Sequence, residues 1–206
     1  MQVVNLLDRG HIPYPEGVDI QLDHHGRVSS GEQENTLLLL EHTSVYTGGR
    51  MAEHSEILDP TIDVVETTRG GKITWHGPGQ LIGYPIYRLP NPINVVGYVR
   101  TLEQLLIEVL GDFGIVGTQI AKRTGVWVGP EGSEEKIAAI GIRIADRTTM
   151  HGFALNICNS LGPFESIVAC GIEDAGITTM THQLGHQVSV SDVAQNVSQK
   201  IGRYFE

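Results

Sequence analysis

An α+β fold follows from three features of the chain. Apolar residues between Val95 and Phe113 recur at helical steps. The stretch from Val126 to Ile157 reads as three strands joined by short turns. Strands and helices also fail to alternate strictly, which favours α+β over a doubly wound arrangement.

Each element has its own signal. Met1 to Gly31 is polar and punctuated by Gly and Pro, with His24-His25-Gly26 read as a turn. Thr36-Leu-Leu-Leu-Leu-Glu41 is the pattern of a strand buried on both faces. Asp63 to Thr68 predicts another short strand. Arg69 to Gln80, RGGKITWHGPGQ, is too rich in Gly for a helix. Leu81 to Tyr87 resumes as a strand, ended by Pro90 and Pro92. Val95, Val99, Leu102, Leu106, Val109 and Phe113 then mark a helix stripe, with Gly114 after it as a stop. Val126–Val128, Lys136–Ala145 and Thr148–Ile157 form an antiparallel meander. Pro163 opens a short helix. Ser189 caps a final helix whose Val193, Val197, Ile201 and Tyr204 point inward.

Composition narrows the function. The chain has 206 residues, read as one domain over 1–206, with 14 basic and 24 acidic residues and a net charge of −10. Such an acidic balance disfavours a nucleic-acid scaffold, because neutralising phosphates needs a basic excess. No apolar run approaches a membrane span and no signal peptide is apparent, so no membrane partner is expected. Two cysteines, Cys158 and Cys170, without a CxxC pair, fit a reducing, cytoplasmic compartment. Among 25 glycines, about 12% where about 7% is usual, several gather around residues 70–79. Glycines let a ligand approach the backbone, and exposed N–H groups can hold an oxygen.

Three groups carry candidate chemistry. Arg69, Gly70, Gly71, Lys72, Ile73, Thr74, Trp75 and His76 place positive charge and imidazole in a Gly-rich segment that matches neither a Walker A loop nor GxGxxG. A tight connection between strands explains the same glycines. Lys136 heads a face with Ala138, Ile140, Ile142 and Ile144; partial desolvation would lower its pKa and suit it to proton transfer. Because Glu134 and Glu135 precede it, a solvated hairpin lysine is the competing reading. Cys158 ends the run HGFALNIC and reads as a buried, inert thiol. Cys170, beside Gly171, sits in a loop where it can attack an acyl carbon if a cation offsets Glu173 and Asp174. His182 and His186 are four apart, but no HExxH exists and no metal is expected.

These residues together resemble the lipoyl(octanoyl) transferases. Arg69-Gly-Gly, Thr74-Trp-His76, Gly79-Gln80 and Tyr84 fill the places of that family's signature segment. Lys136-Ile-Ala-Ala-Ile-Gly141, His151-Gly-Phe-Ala-Leu-Asn156 and Ala169-Cys-Gly-Ile172 follow in the family's order, and Glu41-His42 with Val45-Tyr-Thr-Gly48 is similar upstream. The resemblance covers roughly Leu37 to Ile172. It implies a mixed sheet flanked by helices, like the catalytic fold of biotin and lipoate protein ligases, and an enzyme that needs no cofactor. It implies transfer of an octanoyl group from acyl carrier protein to a lysine of lipoyl domains, in 2-oxoacid dehydrogenase subunits or the glycine-cleavage H protein. By position, Cys170 is then the nucleophile and Lys136 its acid/base partner. Arg69 to His76, Ala139-Ile140-Gly141 and Gly152-Phe153-Ala154 line the substrate site. The competing functions are an ATP-dependent lipoate or biotin ligase, an amidotransferase between lipoyl domains, and a non-catalytic acyl-protein binder. Docking an acidic carrier on a −10 protein requires a local basic patch. Its candidates are Arg69, Lys72, Arg88, Arg100, Lys122, Arg123 and Arg143.

Overall fold

The computed structural model describes residues 1–171 and 175–205, with Cys170 placed by its backbone alone. Ile172, Glu173 and Asp174, read above as the neighbours of the nucleophile, lie outside the described residues. Strands β1 (Gln2–Asn5) and β2 (His11–Ile12) precede helix α1 (Tyr14–Ser30). Strands β3 (Thr36–His42), β4 (Val45–Gly48), β5 (Val64–Glu66), β6 (Ile73–His76) and β7 (Gln80–Ile86) lead to helix α2 (Val95–Asp112). After it come β8 (Thr118–Ile120), β9 (Arg123–Val128), β10 (Glu135–Ala145), β11 (Thr148–Asn156) and β12 (Gly176–Ile177), then α3 (Met180–Leu184) and α4 (Val190–Lys200).

The main sheet runs β1-β3-β7-β11-β10-β9-β8, with β2 on β3 and β12 on β10; a smaller sheet runs β5-β4-β6. Pairing is parallel between β1 and β3 and antiparallel from β3 through β8, so the sheet is mixed. The expected meander is β9-β10-β11. The four leucines of β3 divide by alternation. Leu37 and Leu39 enter one core with α2 and α4, while Leu38 and Leu40 enter a second with Ile12, Ile82, Tyr84 and Ala154. All four are fully buried, about 1.5–3 kcal/mol each by transfer of an aliphatic side chain. Asn94 caps α2 by accepting from the Gly97 N–H at 2.8 Å, and Ser189 caps α4 by accepting from Asp192 at 3.4 Å.

Two sequence readings are corrected. The segment read as polar loop with a turn at His24-His25-Gly26 is helix α1, opened by Pro15 in its first turn and ended by Gly31 in the left-handed region (φ 83°). Its inward residues are Tyr14, Gly17, Gln21, His25 and Val28, a helical stripe that is mostly not apolar. Gly17 is required by proximity: a Cβ there would stand 2.6 Å from His42 Cε1. Gln21 Oε1 accepts from the His151 N–H at 2.8 Å, and the His25 ring meets the carbonyls of Ala145 and Thr148 at 3.2 and 3.3 Å. Hydrogen bonds to strand backbone therefore replace part of the usual hydrophobic stripe. The second correction is local. Residues 73–76 of the Gly-rich segment are strand β6, paired antiparallel to β4, rather than loop.

Candidate active site

A cavity of about 570 Å³ opens between the small sheet, the centre of the main sheet and the start of α2. That size is ordinary for a small-molecule site. Its wall includes Arg69, Gly70, Gly71, Lys72, Thr74 and His76 from the Gly-rich segment, Lys136, Ala139, Ile140 and Gly141 from β10, and Gly152, Phe153 and Ala154 from β11. Ile73 and Trp75 do not reach it. Strand alternation sends them to the far side of β6, where they pack with Ile167. Tyr14, Met51, Ile82, Tyr84, Val95, Val99, Lys122, Arg123, Thr124, Ile142 and His151 complete the wall. Tyr14 escaped sequence reading because α1 itself carries no strong apolar period.

Lys136 is buried, which settles it against the solvated hairpin. It sits opposite Trp127 on β9, and its Nζ lies 4.7 Å from the centre of that fully buried indole. A register shift between Lys136 and Ala138 breaks the regular alternation there, so the expected face shared with Ala138 does not extend unbroken to Lys136.

Cys170 belongs to a 3-10 turn, Ala169–Gly171. The turn is anchored from several sides. The carbonyl of Glu56 accepts from the Val168 N–H at 2.8 Å, and Ile57 bridges Ile167. Gly171 has φ 64°, and a Cβ on it would fall 2.2 Å from Lys72 Cδ, so the alkyl stem of a cavity-lining lysine packs directly on the turn that carries Cys170. Lys72 Nζ is held 2.5 Å from the buried carboxylate of Glu56. Cys158, expected to be buried, is instead exposed; partial burial and the Glu41 carboxylate push its thiol up.

The floor is a cluster of imidazoles and phenols around Arg69. His42 Nδ1 donates to the Ile12 carbonyl at 2.7 Å, which leaves Nε2 to accept from the Tyr84 hydroxyl at 2.7 Å. Tyr14 stacks on His76 with ring centres 6.3 Å apart. Burial holds His42 and His151 down at about 4, with Arg69 adding to the effect at His151. Burial, His42 and Arg69 take His76 to about 3. Burial raises Tyr14 and Tyr84. All three imidazoles are neutral at physiological pH. Arg69 is itself fixed by the carbonyl and hydroxyl of Thr47 at 2.7 and 2.9 Å.

A hydrogen-bonded chain links this floor to Lys136. His76 Nδ1 donates to Gln80 Oε1 at 2.7 Å, Gln80 Nε2 to Asn156 Oδ1 at 2.8 Å, and Asn156 Nδ2 to the Thr178 carbonyl at 3.1 Å. The Thr178 N–H then donates to the Lys136 carbonyl at 3.1 Å. Among the described residues no group of three or more His, Cys, Asp or Glu side chains is arranged to hold a metal ion. No helix among them is long and apolar enough to cross a membrane.

Comparison with known proteins now decides the family. The model of the lipoyl protein ligase A/B catalytic domain matches residues 14–202. The chain belongs to that family. An octanoyltransferase of Leifsonia xyli subsp. xyli is 51% identical over 193 residues, spanning 93% of this chain and 86% of the relative. One from Salinispora tropica is 44% identical over 205 residues, spanning 98% and 96%. The fold matches a bi-partite lipoate protein ligase from Thermoplasma acidophilum with a TM-score of 0.74 at 15% identity, over 99% of this chain and 84% of that one. It also matches biotin protein ligase from Aquifex aeolicus, at 0.60 and 12%, over 98% and 69%. This member of the lipoyl protein ligase A/B family is an acyltransferase, with the mixed, helix-flanked sheet of the lipoate and biotin ligases.

Proposed function

We propose that the chain, acting as one catalytic unit in the cytoplasm, moves an octanoyl group from acyl carrier protein to a lysine of lipoyl domains through a thioester on Cys170. One observation carries this reading. A buried lysine, Lys136, shares a cavity with Lys72, and Lys72 packs on the turn that bears Cys170.

In the first half-reaction the Cys170 thiolate attacks the thioester carbon. The carbon–sulfur bond to the carrier breaks, and Lys136 gives its proton to the departing thiolate. In the second, the acceptor lysine first sheds one ammonium proton to solvent; its amine attacks the Cys170 thioester, Lys136 takes one amine proton as the amide forms, and Cys170 leaves as thiolate. Backbone N–H groups near Gly141 or Cys170 are the candidates to hold the oxyanion of each tetrahedral intermediate. Residues 69–76, apart from Ile73 and Trp75, and the β10 and β11 segments hold the substrate. Burying about six methylenes of an octanoyl tail contributes roughly 5 kcal/mol to binding. An apolar wall separates neighbouring chain lengths only modestly. Closing the cavity to water protects the thioester from hydrolysis.

Intact-mass spectrometry tests the reading. With octanoyl-carrier alone, the wild type gains one octanoyl mass, hydroxylamine removes it, and a lipoyl domain accepts it. Cys170→Ala gains none. Normal transfer by Cys170→Ala would overturn the assignment. Pyrophosphate release from ATP and free octanoate, without carrier, would show a ligase instead.

A further inference from the structure

The cavity rim departs from the charge of the rest of the molecule. The chain carries 24 acidic residues, yet no Asp or Glu occurs from Leu89 to Leu102 or from Phe113 to Pro130. These two segments are neighbours in space: Arg100 Nη2 reaches the Ile120 carbonyl at 3.5 Å, and Gln119 Nε2 donates to the Arg100 carbonyl at 3.0 Å. The buried Glu103 carboxylate accepts from the Gly125 N–H at 2.9 Å while pairing with Arg100 at 2.6 Å, so Arg100 is neutralised locally and the positive charge of the rim comes from Lys122 and Arg123. The first segment contributes an exposed apolar step, with Ile93, Val95 and Val96 at 42%, 44% and 71% exposure, at the start of a helix with no acid in its first turn. Its neighbour contributes Lys122 and Arg123. Val95, Lys122 and Arg123 also border the cavity, so the patch runs continuously into it.

We propose that this apolar and basic rim, Ile93, Val95 and Val96 with Lys122 and Arg123, is the docking surface for the acidic protein that delivers the acyl chain. The inference rests on the carrier-bound donor of the proposed function and adds where that donor sits. Charge complementarity favours donor over acceptor. A carrier brings an acidic surface and an apolar chain, which suit basic residues and a continuous apolar path. The ammonium of an acceptor lysine gains nothing from basic residues at the rim, so the charge there is matched to the donor. The patch also gives a net-acidic enzyme a local field that attracts an acidic partner despite overall like charge.

The test compares Val96→Glu and Lys122→Glu with the wild type on three donors: octanoyl-acyl carrier protein, octanoyl-CoA and octanoyl-N-acetylcysteamine. Each variant should lose about ten-fold in kcat/KM for the carrier, expressed mainly in KM, as expected for reversing the charge complementarity of an interface. Val96→Glu should leave octanoyl-N-acetylcysteamine turnover unchanged. Wild-type turnover of the carrier should fall with rising salt more steeply than that of the small thioester. Equal losses on all three donors would overturn the proposal. So would a loss on octanoyl-CoA matching that on the carrier, which would mark a phosphate site, or a rise in the KM of the lipoyl domain alone, which would mark an acceptor surface. A change in sedimentation of Val96→Glu would assign the patch to self-association. Failure of the wild type on the carrier, with small thioesters still consumed, would remove the donor itself and is seen without any variant.

Discussion

Helices α1 and α2 cover opposite faces of one sheet with opposite chemistry. Helix α2 presses Leu102, Leu105, Leu106, Val109 and Leu110 into the large core. Helix α1 turns Gly17, Gln21 and His25 inward, and these residues serve particular backbone and ring partners on the strands. The difference teaches where precision is needed. The α2 side supplies bulk burial, which tolerates rearrangement of similar volumes. The α1 side supports Tyr84 and His151, which line the cavity, and His42 beneath them, and there close approach and directed hydrogen bonds fix the atoms.

The contrast can be broken in order of effect. Lys136→Met removes the proposed proton carrier but keeps an unbranched side chain over Trp127. Single-turnover transfer should fall about 10²- to 10⁴-fold, the usual range for a positioned acid/base, with thermal stability near that of the wild type. Collapse of the fold would mean that Lys136 is structural. Leu106→Ala, on the α2 side, should cost about 2–5 kcal/mol in urea unfolding and little in the kcat of the surviving folded enzyme. Gly17→Ala, on the α1 side, should cost less, about 1–3 kcal/mol, because the new methyl must displace the His42 ring. It should lower kcat more than Leu106→Ala does, since His42 holds the hydroxyl of Tyr84, which lines the cavity. If the two variants affected rate equally, the division of labour between the faces would be wrong.

The same contrast explains what could be read from the residues. Helix α2, β3 and the meander β9-β10-β11 were legible because each buries an apolar face whose period matches its geometry. Helix α1 was not, because Gln21 and His25 are buried by hydrogen bonding, which leaves no apolar period. In the Gly-rich segment the glycines masked β6, and Ile73 and Trp75 were grouped with the cavity although period-two geometry turns them away. Lys136 was ambiguous by sequence: the adjacent Glu134 and Glu135 suggested solvent, while pairing with Trp127 across strands, a long-range fact, buries it. Cys158 failed for the complementary reason, since the burial of β11 ends at Ile157 and the next residue emerges. The rim patch needed the fold, because its two segments, about 20 residues apart in sequence, meet only once α2 packs beside β8 and β9.

The smallest effect is one of shape, in the dependence of stability on pH. His42, His76 and His151 titrate at about 4, 3 and 4 when folded, against 6.5 ordinarily. Below 6.5 the unfolded chain therefore binds protons that the folded chain refuses. Stability is fully present above 6.5 and is lost as pH falls toward 4. On the α2–α4 side, Glu108 accepts from Tyr204, Lys200 and Arg203, which hold it down at about 2, so its contribution is lost only below its ordinary 4.5. The two faces thus have separate acid windows. In urea titrations His42→Gln, whose amide can still donate to Ile12 and accept from Tyr84, should change stability by about 1 kcal/mol or less at neutral pH. It should also flatten the slope between about pH 6.5 and 4, in proportion to the imidazole removed. Glu108→Gln should leave that slope untouched and alter the curve only below about pH 4.5. A wild-type curve flat from 6.5 to 5 would mean that the floor imidazoles are hydrated and titrate normally, and the polar face of α1 would then lose its claim to a dry, neutral site.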